Sequence, residues 1–265
     1  MCERLHCTKG FTEYCTICAY LHDIGKQFIP QSILQKPSKL TDEEFDVMKT
    51  HTTIGYKICM NDLKLRPYAA GPLYHHEALN GTGYPQGLTK KDIPYEGQII
   101  RVADEYDAIV SKRQYKSHIG ITDTIKILID NTKPFSNVDS SVAVKHLSEN
   151  AKLGKDNPII VKALISVVIE DINYEISCSL DYLSNLESTI KRLKIAKDYN
   201  DKMLKASNDK KRQYYFEGVK SYLAPEENPE NFENVLSEYV IAYDNKKAHI
   251  AHLQDEIKKI KKLRV

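Results

Sequence analysis

The stretch His75-His76-Glu77-Ala78-Leu79-Asn80-Gly81-Thr82-Gly83-Tyr84-Pro85 runs two adjacent imidazoles straight into a turn holding two glycines and a proline. Imidazole is the commonest protein ligand for transition metals. Gly and Pro hold backbone shapes that other residues resist. The pairing predicts a metal site beside a stiff substrate lip, provided that the rest of the chain supplies further donors.

Upstream of this stretch the pattern is helical. Phe11, Tyr14, Cys15, Cys18 and Leu21 fall at helical spacing, and the run stops at Gly25. Pro30 and Pro37 bracket a short connection. Thr41-Asp42-Glu43-Glu44 is a capping box, with the acid three residues past the capping hydroxyl. It predicts a helix through Phe45, Met48, His51 and Tyr56 to about Met60. A Pro- and Gly-interrupted piece from Arg66 to Glu77 then carries the paired histidines. Downstream, Ile99 to Val110 reads as an amphipathic helix, with two more over Thr122–Asn131 and Ser140–Asn150. Period-2 alternation is absent, so the expected fold is all-α.

The second half has a different texture. Pro158 stands where a helix can begin, and few breakers follow before Ala206. Ile176, Leu180, Leu183, Leu186 or Glu187, Ile190 and Leu193 alternate steps of three and four. Ser207 to Asn231 reads as a polar linker around a short helix at Gln213–Leu223. Phe232, Leu236, Tyr239, Tyr243, Lys246, Ile250, Leu253, Ile257 and Ile260 form a cleaner heptad. A narrow seam of this kind suits a helical hairpin or a homodimer through the C-terminal helices, and the spacing fits both. The expected division is residues 1–155 for the chemistry and 156–265 for a coiled-coil-like helical extension.

Composition excludes several classes. The 265 residues are 42% apolar and 28% charged, with a net charge of +2, which gives no global case for nucleic acid or membrane as partner. The most apolar run, Ile159 to Ile169, contains Lys162 and is too short for a bilayer. Five of the seven residues from Lys258 to Arg264 are basic, a pattern that complements a helix C-terminus. Six cysteines form no regular framework and no secretory signal opens the sequence, so reduced thiols and a cytoplasmic location are expected. Cys15-x-x-Cys18 lies in an apolar helical run and reads as one packed face.

The donors cluster before residue 110. His22-Asp23 closes the first helix, His51 lies within the second, His75-His76 ends the third piece, and Asp104 sits on the next helix. Each is embedded in an apolar pattern, where an ionisable group is costly unless paired or metal-bound. Neighbours on a helix point about 100° apart, so one ion would struggle to take both members of each pair. Two ions sharing the carboxylate of Asp23 would accommodate them. Mixed nitrogen and oxygen donors suit iron or manganese, and the lack of Cys argues against structural zinc. His6, His118, His146, His249 and His252 are assigned no role.

His22-Asp23-Ile24-Gly25-Lys26, Lys39 to Glu44, His51 with Gly55, His75-His76-Glu77 through Gly83-Tyr84-Pro85, and Ile100 to Ala108 together resemble the HD-GYP family. The resemblance covers about Gly10 to Lys116. It implies an HD-type helical bundle with a binuclear or trinuclear centre of divalent ions. By similarity, His22, Asp23, His51, His75, His76 and Asp104 are the expected ligands, and Asp23 and Lys26 the expected catalytic pair. Lys26, Arg113 and Lys116 match the family's phosphate-holding cations, Gly83, Tyr84 and Pro85 its substrate loop, and Asp107 a further carboxylate. The implied reaction is hydrolysis of cyclic di-GMP to pGpG or GMP, with a metal-bridged hydroxide attacking phosphorus. Another nucleotide substrate in the wider HD superfamily, or a degenerate binding and assembly module, are the alternatives. The family also carries a Glu and a His about thirty residues before its His-Asp pair. Only 21 residues precede His22, and Glu3 and His6 are wrongly spaced, so the expectation is either a chain that begins inside the domain or a member with a reduced metal set that lacks the usual first helix.

Overall fold

The computed structural model describes residues 1–111, 119–134, 153–224 and 232–265. Among these the chain is helical, with one isolated antiparallel bridge between Asn80 and Thr89 as its only extended pairing. No helix among the described residues is long and apolar enough to cross a membrane. The chain divides into two compact units, Met1–Ile169 with Lys259–Val265, and Glu170–Lys258.

The first unit is built from short helices. Helix α1 (Lys9–Leu21) opens where Thr8 accepts the amide of Phe11 at 3.2 Å, and it buries Cys15 and Cys18. Helix α2 (Asp42–Lys49) begins at the expected capping box: Glu44 N donates to Thr41 Oγ1 at 3.3 Å, and Thr41 N to Glu44 Oε2 at 2.8 Å. The predicted continuation through His51 is interrupted at Thr50. Its hydroxyl donates to the Val47 carbonyl at 2.6 Å, and helix α3 (His51–Asn61) starts afresh. Helix α4 (Ala70–Tyr74) is a single turn with Gly71, Pro72 and Leu73 buried.

Helix α5 (Tyr95–Val110) starts four residues before the expected Ile99. The amphipathic pattern hides this first turn because Gln98 is a buried polar residue. Its amide donates to the Ile93 carbonyl at 3.0 Å and accepts from Asn157 at 2.9 Å. Helix α6 (Ile121–Asn131) buries Ile125, Leu128 and Ile129. The expected helix at Ser140–Asn150 lies outside the described residues. Helix α7 (Pro158–Leu204) begins where Asn157 Oδ1 accepts the amide of Ile159 at 3.0 Å. Ile160, Val161 and Leu164 join Ile99, Ile100 and Val102 among the buried apolar residues of this unit. Helix α1 packs on α4 and α5, α3 on α4 and on the turn Ile24–Phe28, and α5 on α6.

That turn is set by an absence. A Cβ at Gly25 would stand 1.9 Å from the carbonyl oxygen of His51, so only glycine lets the two backbones meet. Gly71 presses in the same way on the Cys18 carbonyl, where a Cβ would stand 2.2 Å away.

The second unit is a helical hairpin within one chain. Glu175 Oε1 meets His249 Nε2 at 2.8 Å, and Lys246 Nζ lies 5.9 Å from the Tyr182 ring. Leu193 and Ala196 pack with Val235, Leu236 and Tyr239, so α7 and α9 (Phe232–Lys262) run antiparallel. Helix α8 (Asp209–Tyr222) adds Val219 to this core, and Arg192 donates to the Tyr222 carbonyl at 2.7 Å. The seam runs through Ile172, Ile176, Ser179, Leu186, Ile190 and Leu193. Leu180, expected in it, is half exposed, and Ser179 takes its place because steps of four, three and seven residues carry the stripe from Ile172 to Leu186.

Candidate metal centre

The donor side chains come from four backbone pieces, three of them at helix ends and one on the body of a helix. His22 caps α1 and Asp23 follows it. His51 opens α3, His75 and His76 lie just past α4, and Asp104 lies on α5. His51 and His75 are almost wholly buried.

Three imidazoles have one nitrogen committed to the backbone. Nδ1 of His22 lies 2.6 Å from the Ala19 carbonyl, and Nδ1 of His51 lies 2.7 Å from that of Met48. Nδ1 of His75 lies 3.0 Å from the carbonyls of both Gly71 and Pro72. A carbonyl only accepts, so each Nδ1 carries a proton, and in the neutral rings of His51 and His75 Nε2 keeps its lone pair. Those lone pairs converge. His51 Nε2 faces His75 Nε2 at 3.2 Å, and Asp23 Oδ1 lies 3.5 Å from the first and 3.9 Å from the second. Asp23 Oδ2 lies 3.1 Å from His22 Nε2, which is 3.7 Å from Asp104 Oδ1.

This arrangement fits divalent cations. Asp23 Oδ1 is buried without a hydrogen-bond partner among the described residues, and the nitrogens it faces are acceptors too. Facing lone pairs of this kind are stable only around a shared positive charge. His51, His75 and His76 form one set of atoms close enough for a single ion, and His22, Asp23 and His75 form another. His75 belongs to both.

The protonation pattern agrees. Burial, then the neighbouring imidazoles, pushes His75 down to about 3. Burial, then His75, pushes His76 down to about 2, and burial lowers His51 as well. All three are neutral donors at physiological pH. Burial also opposes charge on His22, but the carboxylates of Asp104 and Asp23 outweigh it and lift the ring to about 10. Burial likewise works against the Asp23 anion, and His22 and Lys26 overcome it, holding the carboxyl well below its usual range.

The loop beside this cluster is fixed by Glu77. Its carboxylate is 1% exposed and accepts the amides of Gln86 at 2.7 Å and Leu88 at 2.8 Å. Tyr84 N donates to the His76 carbonyl at 3.1 Å, and its ring stacks on His76 with centroids 4.6 Å apart. Gly81 and Gly87 bracket the loop at φ of 81° and 66°, a region that glycine enters without strain. Gly83 backs onto Glu77 and Ala78 so closely that a Cβ would stand 2.3 Å from the Ala78 nitrogen. Behind the loop, Arg101 donates to Asp156 Oδ1 at 2.7 Å and contacts the His76 carbonyl at 3.4 Å. Burial and then Asp156 lift the carboxyl of Glu105 to about 7, and Arg101 pairs with both carboxylates.

The structure thus brings His22, Asp23, His51, His75, His76 and Asp104 together, with Gly83, Tyr84 and Pro85 in the adjoining loop. Lys26 donates to Asp23 Oδ2 at 2.5 Å. Asp107 is exposed, as are Glu3 and His6. Arg113 and Lys116 lie outside the described residues. Glu77, Arg101 and Asp156 were assigned no role from sequence. Glu77 directly follows the paired histidines, the one local hint, and Asp156 gives none because its partner is 55 positions away.

Residues 1–142 match the HD domain model, more than half of the chain, and the protein belongs to that family. Over 117 residues it is 47% identical to a cyclic di-GMP phosphodiesterase of Thermotoga maritima, covering 43% of this chain and 32% of that one. Over 116 residues it is 42% identical to the cyclic di-GMP phosphodiesterase response regulator RpfG of Xanthomonas campestris pv. campestris, covering 43% and 31%. A 3'3'-cGAMP-specific phosphodiesterase of Vibrio cholerae is 39% identical over 121 residues, covering 43% and 23%. The chain spans about a third of the length of the first two relatives. Its Gly83-Tyr84-Pro85 loop beside the His-Asp turn places it in the HD-GYP branch of the family.

Proposed function

We propose that the protein is a metal-dependent phosphodiesterase that hydrolyses cyclic di-GMP to pGpG or GMP. The observation that carries this reading is the convergence of the Nε2 atoms of His22, His51 and His75 around Asp23, beside a loop fixed by Glu77. His22, Asp23, His51, His75, His76 and Asp104 would hold two divalent ions, with Asp23 placing one oxygen toward each group of imidazoles. Iron or manganese suits the mixed donor set. When bound, such ions acidify water and offset phosphoryl charge. The chain's own residues do the rest. Lys26, tethered to Asp23, brings an ammonium to the edge of the cluster, where the phosphate charge of a substrate would be met. Arg113 and Lys116 are proposed as further phosphate contacts. The ring of Tyr84 covers His76 and excludes water from that side.

The experiment is turnover of cyclic di-GMP by protein loaded with iron or manganese, with bound metal counted in the same sample. Release of pGpG or GMP is expected, and bound metal without turnover rejects the reading. The resemblance to 3'3'-cGAMP-specific relatives supports a second substrate, so 3'3'-cGAMP belongs beside cyclic di-GMP in the assay.

The same reading assigns the chemistry to residues 1–155 and a supporting role to 156–265. Six free thiols support a cytoplasmic location. The half-exposed Leu180 and Ile241 on the C-terminal helices support a homodimer, which a monomeric mass by light scattering would reject.

A further inference from the structure

A phosphodiester held at the donor cluster leaves its bases to be recognised elsewhere, and a line of rings leads outward from the cluster. Tyr84 stacks on His76 at 26° and faces His51 edge-on, with centroids 6.5 Å apart. Phe45 then meets Tyr84 edge-on at 6.2 Å and 82°. The series runs from a buried proposed ligand to a phenyl ring that is 45% exposed. A lone exposed phenylalanine needs no explanation. This one carries two further features. Lys49 Nζ lies 5.0 Å from the centre of the same ring. The helix that bears both residues is pinned at its start by the Thr41–Glu44 capping box and by the ion pair of Lys36 with Glu44 at 2.5 Å.

Exposed aromatic faces beside a phosphate site stack nucleobases, and such stacking is worth about 1–3 kcal/mol per base. The cation beside the ring adds direction. Lys49 spends one donor on Asp46 Oδ1, at 2.5 Å, and an ammonium has three. Guanine offers two adjacent acceptors, O6 and N7, whereas adenine replaces one of them with an amino donor.

We propose that Phe45 and Lys49 form a base subsite in which the phenyl face stacks a purine and the ammonium selects guanine. The inference rests on the phosphodiesterase reading and adds to it the part of the substrate that is recognised. Neither residue is among the proposed ligands, so the subsite should control affinity and base preference while leaving the metal in place.

The test compares GMP, AMP and ribose 5-phosphate binding to the full-length, metal-loaded protein by calorimetry. Wild type should bind GMP about 5- to 150-fold tighter than ribose 5-phosphate, the range that stacking supplies. Phe45→Leu, which keeps volume without a π face, should bring that ratio close to one with ribose 5-phosphate affinity unchanged. Phe45→Trp should preserve it. Lys49→Met should narrow GMP over AMP while leaving the advantage over ribose 5-phosphate largely intact. An unchanged GMP to ribose 5-phosphate ratio in Phe45→Leu overturns the stacking assignment, and an unchanged GMP to AMP ratio in Lys49→Met overturns the guanine selection. Wild type that turns over cyclic di-GMP but binds GMP no better than ribose 5-phosphate sinks this inference alone. Wild type with neither turnover nor nucleotide binding sinks the function as well.

Discussion

The two units use helices for opposite purposes. In Met1–Ile169 the helices are short, and their ends deliver side chains. His22, His51, His75 and His76 all lie at or just past a helix terminus. In Glu170–Lys258 the helices are long, and their sides deliver a stripe. The buried polar residues divide accordingly. His51, His75, Glu77, Gln98, Asp156 and Asn157 belong to the first unit, while among the described residues Ser179 alone lies in the second. An uninterrupted helix repeats the same face and cannot aim several donors at one point from different directions. Convergence requires breaks, and breaks require caps, glycines and buried hydrogen bonds.

The contrast can be tested at several strengths. His75→Ala should have the largest effect, because this imidazole belongs to both donor groups. Bound metal should fall sharply, and turnover of cyclic di-GMP should drop on the order of 10³-fold. Circular dichroism should still report the hairpin. A variant that keeps its full metal content would break the proposed ligand assignment. Leu193→Ala, in the core of the hairpin, should do the reverse. It should lower stability by about 3 kcal/mol in urea denaturation and leave bound metal unchanged. Loss of metal in that variant would erase the functional distinction between the units. The smallest effect is chemical. Cys178 in the hairpin is exposed, whereas Cys15, Cys18 and Cys59 are buried. Burial lifts the Cys18 thiol to about 11 and raises Cys59 too, which depletes their thiolates at neutral pH. A maleimide should therefore label Cys178 in the native protein and the other three only in denaturant. Mass spectrometry showing Cys18 labelled as fast as Cys178 would contradict this packing.

Sequence made the donors legible because ionisable groups inside apolar periodicity are conspicuous. The capping box at Thr41 and the helix at Pro158 were legible because caps act over three or four residues. What escaped acts over distance or through the backbone. Gln98 carries no local signal of burial because its partners, Ile93 and Asn157, come from a loop and from a residue 59 positions on. Glu77 accepts main-chain amides, which no side-chain pattern announces. Leu180 looked right for the seam by type alone, yet Ser179 holds the position that the heptad requires.

The contact between Gly25 and the His51 carbonyl sets a dimensional tolerance. Metal–ligand bond lengths vary by about 0.2 Å around their ideal values. A single methyl at Gly25 would stand 1.9 Å from that oxygen, and ordinary van der Waals contact would demand a displacement of well over 1 Å. The span between Asp23 and His51 is therefore gauged by main chain against main chain, and no rotamer change could absorb the error. In this protein the calibration of the proposed ion site is written in a residue that contributes no atom to it.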